Sequence, residues 1–356
     1  FGPTIGDWDT SDVTDMNQLF THQSCSSFNQ PVGTWDVSSV TNMEGMFRDA
    51  TAFNQPLGAW DVSSVTNMEG MFRDATAFNQ PLGAWDVSRV TNMGHMFSRD
   101  TEVTDEVALL SHRSCSSFNQ PLGSWDVSSV SDMGGMFNGA VAFNQPLAAW
   151  DVSSVTDMSS MFYRATAFNQ PLGTWDVSSV TNMVQMFCFA TAFNQPLGTW
   201  DVSRVTTMYA IFRCAAAFNQ PIGAWNVSSV TSMVQMFCFA AAFNQPLDTW
   251  DVSGGVTNMS EMFLGAAAFN QPLDTWDVSG VITMAWMFFN AAAFNQPLDT
   301  WDVSNVVDMS YMFSCATAFN QRLGGWDVSN VTTMAGMFRR SVAFKQLLRE
   351  WNVKKV

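Results

Sequence analysis

Residues 60–72 read WDVSSVTNMEGMF, and residues 85–97 read WDVSRVTNMGHMF. The twelve residues between them, RDATAFNQPLGA, complete a unit of 25 that recurs along the whole chain. Tryptophans mark each copy: Trp8, Trp35, Trp60, Trp85, Trp125, Trp150, Trp175, Trp200, Trp225, Trp250, Trp276, Trp301, Trp326 and Trp351, which makes fourteen. All 24 methionines fall in the two Met slots, and 27 of the 30 phenylalanines in the two Phe slots. Residues 43–67 and 68–92 differ only at Ser64 against Arg89, the mark of a recent duplication. A fixed period of this length is the signature of a repeat array, in which neighbouring copies close one continuous core.

The unit has two halves. Met43, Met46, Phe47 and Ala50 stand at i, i+3, i+4 and i+7, the spacing of one apolar helix face. Thr41 with Glu44, and Thr66 with Glu69, fit a capping box, so a short helix is predicted there. In the other half Trp60 and Val62 alternate around Asp61, which predicts a short strand with its carboxylate facing out. Eleven prolines, Pro56 and Pro81 among them, share one slot, and a residue without an N–H cannot lie inside a ladder. The Asn-Gln-Pro-Leu segment is therefore an arm leading into the strand. The expectation is an α/β repeat solenoid of about fourteen coils over residues 1–356, each a short parallel strand plus a short helix. An insertion interrupts it near 98–113, and residues 344–356, with Lys345, Lys354 and Lys355, have the polar composition of a capping repeat.

Composition narrows the partner. The 356 residues are 47% hydrophobic and 13% charged, with net charge −16 and pI near 4.3. Such a chain repels a phosphate backbone, so nucleic acid is not expected as a partner. No apolar run is long enough to span a membrane. Six scattered cysteines do not make a disulfide framework. Beginning at Phe1, the chain reads as a processed or partial product.

The pattern W-D-V-S-x-V-T-x-M-x-x-M-F, seen in Trp175–Val180 and Thr181–Phe187, resembles the repeats of the BspA-like family of leucine-rich-repeat surface proteins. The resemblance covers the entire chain. It implies a leucine-rich-repeat-like solenoid, a cell-surface or extracellular setting, and adhesion or partner binding. It brings no catalytic residues, and no resident cofactor is expected.

The most regular polar feature is an Asp after each repeat Trp: Asp9, Asp36, Asp61, Asp86, Asp126, Asp151, Asp176, Asp201, Asp251, Asp277, Asp302 and Asp327, with Asn226 and Asn352 in the remaining copies. One reading is an Asx turn closed by the Ser two residues on. The other is a cation stripe, with Ca²⁺ on Asp61, Asp86, Asp126, Asp151, Asp176 and Asp201. Asn226 fits the turn, because Asn makes the same turn without charge. The Asn54-Gln55 pair and its copies are read as satisfying backbone groups of adjacent coils, and the Met ladder as core. His22 with Cys25 and His112 with Cys115 repeat a His-x-x-Cys cassette, a zinc pattern whose copies lie several coils apart. The inserted segment around Thr104–Leu110 breaks the regular surface and is a candidate contact. Cys188, Cys214 and Cys238 occupy near-matching slots, open either to a disulfide or to free buried thiols. Asn226, Asn258 and Asn330 head N-x-S/T glycosylation sequons.

The chain is thus read as a non-catalytic adhesion or scaffold protein with a protein or glycan partner. The alternatives are a cation-binding structural protein and an architectural subunit of a larger assembly. Ile5 and Trp8 sit in ordinary interior slots, so the N-terminal face is expected to be covered by a further segment or subunit.

Overall fold

The computed structural model describes residues 4–21, 25–99 and 116–356. The chain divides into two compact units, residues 1–179 and 180–356. Both are built from the same coil, and the first shows how it closes.

The backbone amides of residues 68–75 account for one another. Met68, Gly70, Phe72 and Asp74 donate to Asn92, Gly94, Met96 and Ser98 of the next coil, at 2.8–3.0 Å. Met71, Arg73 and Ala75 donate back three residues, to Met68, Gly70 and Phe72. The remaining amide, Glu69, is taken by the Asn67 side chain at 3.0 Å. Every N–H is satisfied, half of them by the neighbouring coil. Residues 309–316 of the second unit repeat the scheme, with Tyr311 donating to Ala335 and Met312 to Met309.

This pattern overturns the expectation of an α/β coil with one strand and one helix. Among the described residues the single regular helix is the 3-10 turn Ile5–Asp7, and pairing between coils is confined to isolated parallel bridges such as Asn42↔Asn67 and Thr207↔Ser232. A two-turn helix would satisfy few of its own amides and leave its end groups open on both sides. A string of turns gives the alternate amides to the neighbour instead. It requires left-handed backbone at Gly70 (φ 57) and Asp74 (φ 59), which no α-helix contains. The expected capping boxes are absent for the same reason: Thr66 Oγ1 donates to the Thr41 carbonyl of the preceding coil, and Glu69 does not close on Thr66. The strand expected at Trp-Asp-Val is likewise a pair of turns, Trp60 to Leu57 and Val65 to Val62, and the bridge falls at Asn67 instead.

The apolar slots behave as read. Met68, Met71, Phe72, Ala75, Phe78, Leu82, Trp85, Val87 and Val90 are all buried, while Asp61 and Asp86 face water. Within a coil the two Phe rings stack at about 4.0 Å (Phe47–Phe53, Phe288–Phe294). Between coils the Trp rings lie parallel at 6.4 Å, as in Trp60–Trp85 and Trp301–Trp326. Each buried indole still needs an acceptor and finds it in the preceding coil: Trp60 Nε1 donates to Val32 and Trp225 Nε1 to Leu197. The Asn-Gln pairs do the same work on the arm. Asn54 Oδ1 accepts both the Asn79 amide and Gln80 Nε2, and Asn219 does so for Asn244 and Gln245. The inserted segment does not break the register: Trp85 stacks on Trp125 at 6.4 Å, and Asn92 bridges Asp132.

Candidate interaction surface

The Asp row forms closed turns. Asp61 Oδ1 accepts the Ser63 hydroxyl at 2.6 Å and the Ser63 amide at 3.1 Å. Asp9, Asp36, Asp151 and Asp251 repeat both bonds. The Ser hydroxyl first, then the Ser amide, holds these carboxyls below their ordinary value; for Asp61 the repulsion from Asp36 and Asp86 is the smaller influence. Asn226 makes the same turn with Ser228. The remaining stripe members accept the same amide: Asp86 from Ser88, Asp126 from Ser128, Asp176 from Ser178 and Asp201 from Ser203. Among the described residues no group of three or more His, Cys, Asp and Glu is placed to hold a metal ion.

The other candidates scatter. Asn226 is exposed, Asn258 is half-buried at a bridge, and Asn330 is exposed with Lys355 on its Oδ1. Cys188 and Cys238 are buried, and Cys214 is half-buried. Cys25 is a half-buried free thiol, while the other members of the His-x-x-Cys cassettes, His22, His112 and Cys115, lie outside the described residues. So does the segment Thr104–Leu110.

What a reading of the regular rows misses is the irregular one. In M-x-x-M-F-x-x the two Met and the Phe are core, and four slots per coil change freely. In the first unit they carry charge. Glu44 and Glu69 accept from Asn67 and Asn92, Arg48 and Arg73 lie beside Asp49 and Asp74, and His95 borders the same small cavity of about 30 Å³. In the second unit the slots turn aromatic: Phe189, Tyr209, Phe239, Trp286, Phe289 and Tyr311. Arg213 lies 5.8 Å over the Phe189 ring and donates to Gln235, which donates on to Glu261 at 2.8 Å.

The backbone makes this choice costly. The second and fourth variable slots are left-handed in coil after coil, and several copies use Gly there, as at Gly45, Gly70, Gly139 and Gly336. Phe189 (φ 59), Phe239 (φ 56), Trp286 (φ 62) and Tyr311 (φ 55) occupy the same conformation with bulky side chains. Each forgoes about 1–2 kcal/mol that Gly would not. The large groups also lean over the following coil: a Cβ on Gly135 would meet the His95 ring, one on Gly265 the Phe239 ring, and one on Gly336 the Tyr311 ring. Core packing does not explain Phe239, which is 44% exposed, while Phe189, Trp286 and Tyr311 are half-buried. Comparing the fourteen copies slot by slot would have found this face from the sequence.

A tandem-repeat protein with a fixed core and a variable outer face is what these observations define. The chain belongs to the family described as "Mycoplasma protein of unknown function, DUF285", which matches residues 1–110, 102–198, 189–288 and 257–356. No curated protein matches it. Among solved structures it is similar to a chain of "Crystal structure of TLR13-ssRNA13 complex", at 10% identity and a TM-score of 0.27. That match covers 87% of this chain and 45% of the other, so this chain spans less than half of its length, and the similarity is too slight to transfer a ligand.

Proposed function

We propose that this chain is a non-catalytic interaction scaffold that binds its partner through the variable slots of the Met half, in a cell-surface or extracellular setting where it serves adhesion. The observation that carries the reading is the aromatic side chains held in left-handed backbone, at slots where other copies use Gly. Strain kept where the core does not need it points to a functional demand. Aromatic side chains and Arg213 gather here, and Tyr209, Trp286, Tyr311 and Arg213 are of the types that dominate binding energy at interfaces. The resemblance to BspA-like surface repeats and the membership of a tandem-repeat family support the setting. The Asp row is closed in its own turns.

A selection from a random-peptide display library against the full chain tests the reading. Binders whose affinity falls when variable slots are reset to Gly or Ser, in either unit, support it. Binders indifferent to every variable slot but lost when the Asp row is replaced by Asn would overturn it.

A further inference from the structure

The turn after each repeat Trp reads Asp-Val-Ser in most coils, so a single change of Asp to Asn makes it the acceptor sequence N-x-S/T of asparagine-linked glycosylation. Two turns of the row carry that Asn. Asn226-Val227-Ser228 completes the sequence, whereas Asn352-Val353-Lys354 does not. The other two acceptor sequences, at Asn258 and Asn330, fall in different slots of the coil. What each side-chain amide does separates the three. Asn226 Oδ1 accepts the Ser228 hydroxyl at 2.8 Å and the Ser228 amide at 3.2 Å, and its exposed Nδ2 makes no hydrogen bond among the described residues. Asn330 Nδ2 donates to the Ser304 carbonyl at 2.8 Å, and the Thr332 hydroxyl turns away to the Val307 carbonyl. Asn258 is half-buried in the bridge slot between Ser232 and Thr283, its Oδ1 on the Ser260 amide and the Ser260 hydroxyl on that of Thr283. Only at Asn226 do the amide and the hydroxyl of one acceptor sequence meet while the nitrogen stays open to water.

A groove opens beside this side chain. It measures about 610 Å³, within the range of ligand sites, and Ala224, Trp225, Asn226, Pro246, Asp248 and Asp251 are among the residues that line it. Asp248 fills a slot that holds Gly198 and Gly223 in the two preceding coils, so its carboxylate is a departure from the repeat at the edge of the groove. Carboxylate oxygens accept from sugar hydroxyls, and Ala224 and Pro246 offer apolar surface to the C–H groups of a ring. We propose that Asn226 carries an asparagine-linked oligosaccharide whose first sugar lies in this groove. In the transfer, Nδ2 attacks the anomeric carbon of an oligosaccharide held on a lipid pyrophosphate. The new C–N bond forms as the bond from that carbon to the pyrophosphate oxygen breaks. The lipid pyrophosphate leaves with the electron pair, and the amide gives up one proton to a base of the transferase. Oδ1 takes no part, so the turn onto Ser228 stays closed with the sugar attached. At Asn330 the same reaction would load the nitrogen that bonds the Ser304 carbonyl. The proposal rests on the cell-surface or extracellular setting argued above, since such transfer acts on chains leaving the cytoplasm.

The full chain, produced through the secretory route of a eukaryotic cell and read by peptide mass spectrometry, provides the test. An oligosaccharide on Asn226, with Asn258 and Asn330 bare, is the expected result. Asn226→Asp restores the row's own residue, so that variant should fold, carry no sugar and melt with the deglycosylated parent. Enzymatic release of the oligosaccharide should be slower from the folded chain than from the denatured one. Asp248→Gly, which restores the residue of the preceding coils, should speed release from the folded chain severalfold. A bare Asn226 overturns the assignment, as does equal occupancy of the three asparagines or a sugar that persists in Asn226→Asp. Release from Asp248→Gly at the parent's rate overturns the groove as the seat of the sugar. The same mass analysis on the chain from its native source separates the site from the setting. A bare Asn226 on a chain recovered from the cell surface overturns the site alone, and a bare Asn226 on a chain recovered from the cytoplasm overturns the setting with it.

Discussion

Gly254 shows how little latitude a single position has. The coil from Trp250 to Trp276 is one residue longer than its neighbours, and the extra residue enters as the pair Gly254-Gly255. Gly255 takes φ 116, and a Cβ on Gly254 would run into the Ser228 carbonyl of the preceding coil. Gly254→Ala is expected to destabilise the chain by about 1–3 kcal/mol, as overpacking against a backbone that cannot retreat; denaturant titration measures it. The opposite sign is expected at Asp132. Burial raises its carboxyl above the ordinary 3.8, with Asp157 and Glu69 adding repulsion, while its Oδ1 accepts the Gly134 amide. A carboxyl raised on folding opposes folding when ionised, so its cost is present at neutral pH and disappears as pH falls through the raised value towards 3.8. Asp132→Asn keeps the acceptor and matches Asn67 and Asn92 in the same slot. The variant should melt above the parent at pH 7, and the two should converge at acid pH. A gap that persists there would mean that charge is not the cause.

At the scale of the coil, energy resides in ladders rather than in elements. Trp175 is 3% exposed, donates to the Leu147 carbonyl at 3.0 Å and stacks on Trp150 at 6.4 Å. Trp175→Ala removes a large buried ring and leaves its acceptor without a donor, so a loss of about 3–5 kcal/mol is expected in equilibrium unfolding. A thermally silent variant would contradict the packed-ladder account. Helical spacing in the Met half was a sound reading of which side chains go inside: Met43, Met46, Phe47 and Ala50 are all buried. It misjudged the backbone beneath them. The same four positions can be turned inward by a string of turns whose alternate amides reach the next coil, and a hydrophobic pattern constrains side-chain direction without naming the partner of each N–H.

Across the molecule, many small electrostatic contributions add. Asp9, Asp36, Asp61, Asp151 and Asp251 are held below 3.8 by the hydroxyl and amide of their own Ser. A carboxyl lowered on folding stabilises above its unfolded value, and that contribution is lost as pH falls through the folded value. The melting temperature should therefore hold steady from neutral pH down towards pH 4 as far as this row is concerned, then drop below 3.8 as the turns are protonated. Replacing the five Asp by Asn should flatten that acid limb, and a limb that survives unchanged would place the acid sensitivity elsewhere. Added Ca²⁺ should leave the melting temperature of the parent unchanged, because among the described residues no three such side chains converge to hold the ion. A rise reversed by chelator would restore the cation reading of Asp61 to Asp201.

By itself the sequence determined the period, the inward slots, the polar arm and the Asx turns, because each depends on side-chain chemistry that repeats every coil. Asn226 in place of Asp already favoured the turn over a charge stripe. Only the tertiary structure decided that the coil is a chain of turns. The choice between helix and turn rests on where backbone N–H groups find acceptors, and for Met68, Gly70, Phe72 and Asp74 those acceptors lie in the neighbouring coil. The conformational cost of the variable face was decided there too, although its residues are legible in the sequence. Phe239, Trp286 and Tyr311 differ from Gly in the same slots by the left-handed backbone they must tolerate, and a backbone angle set by the stack is not written in any one side chain.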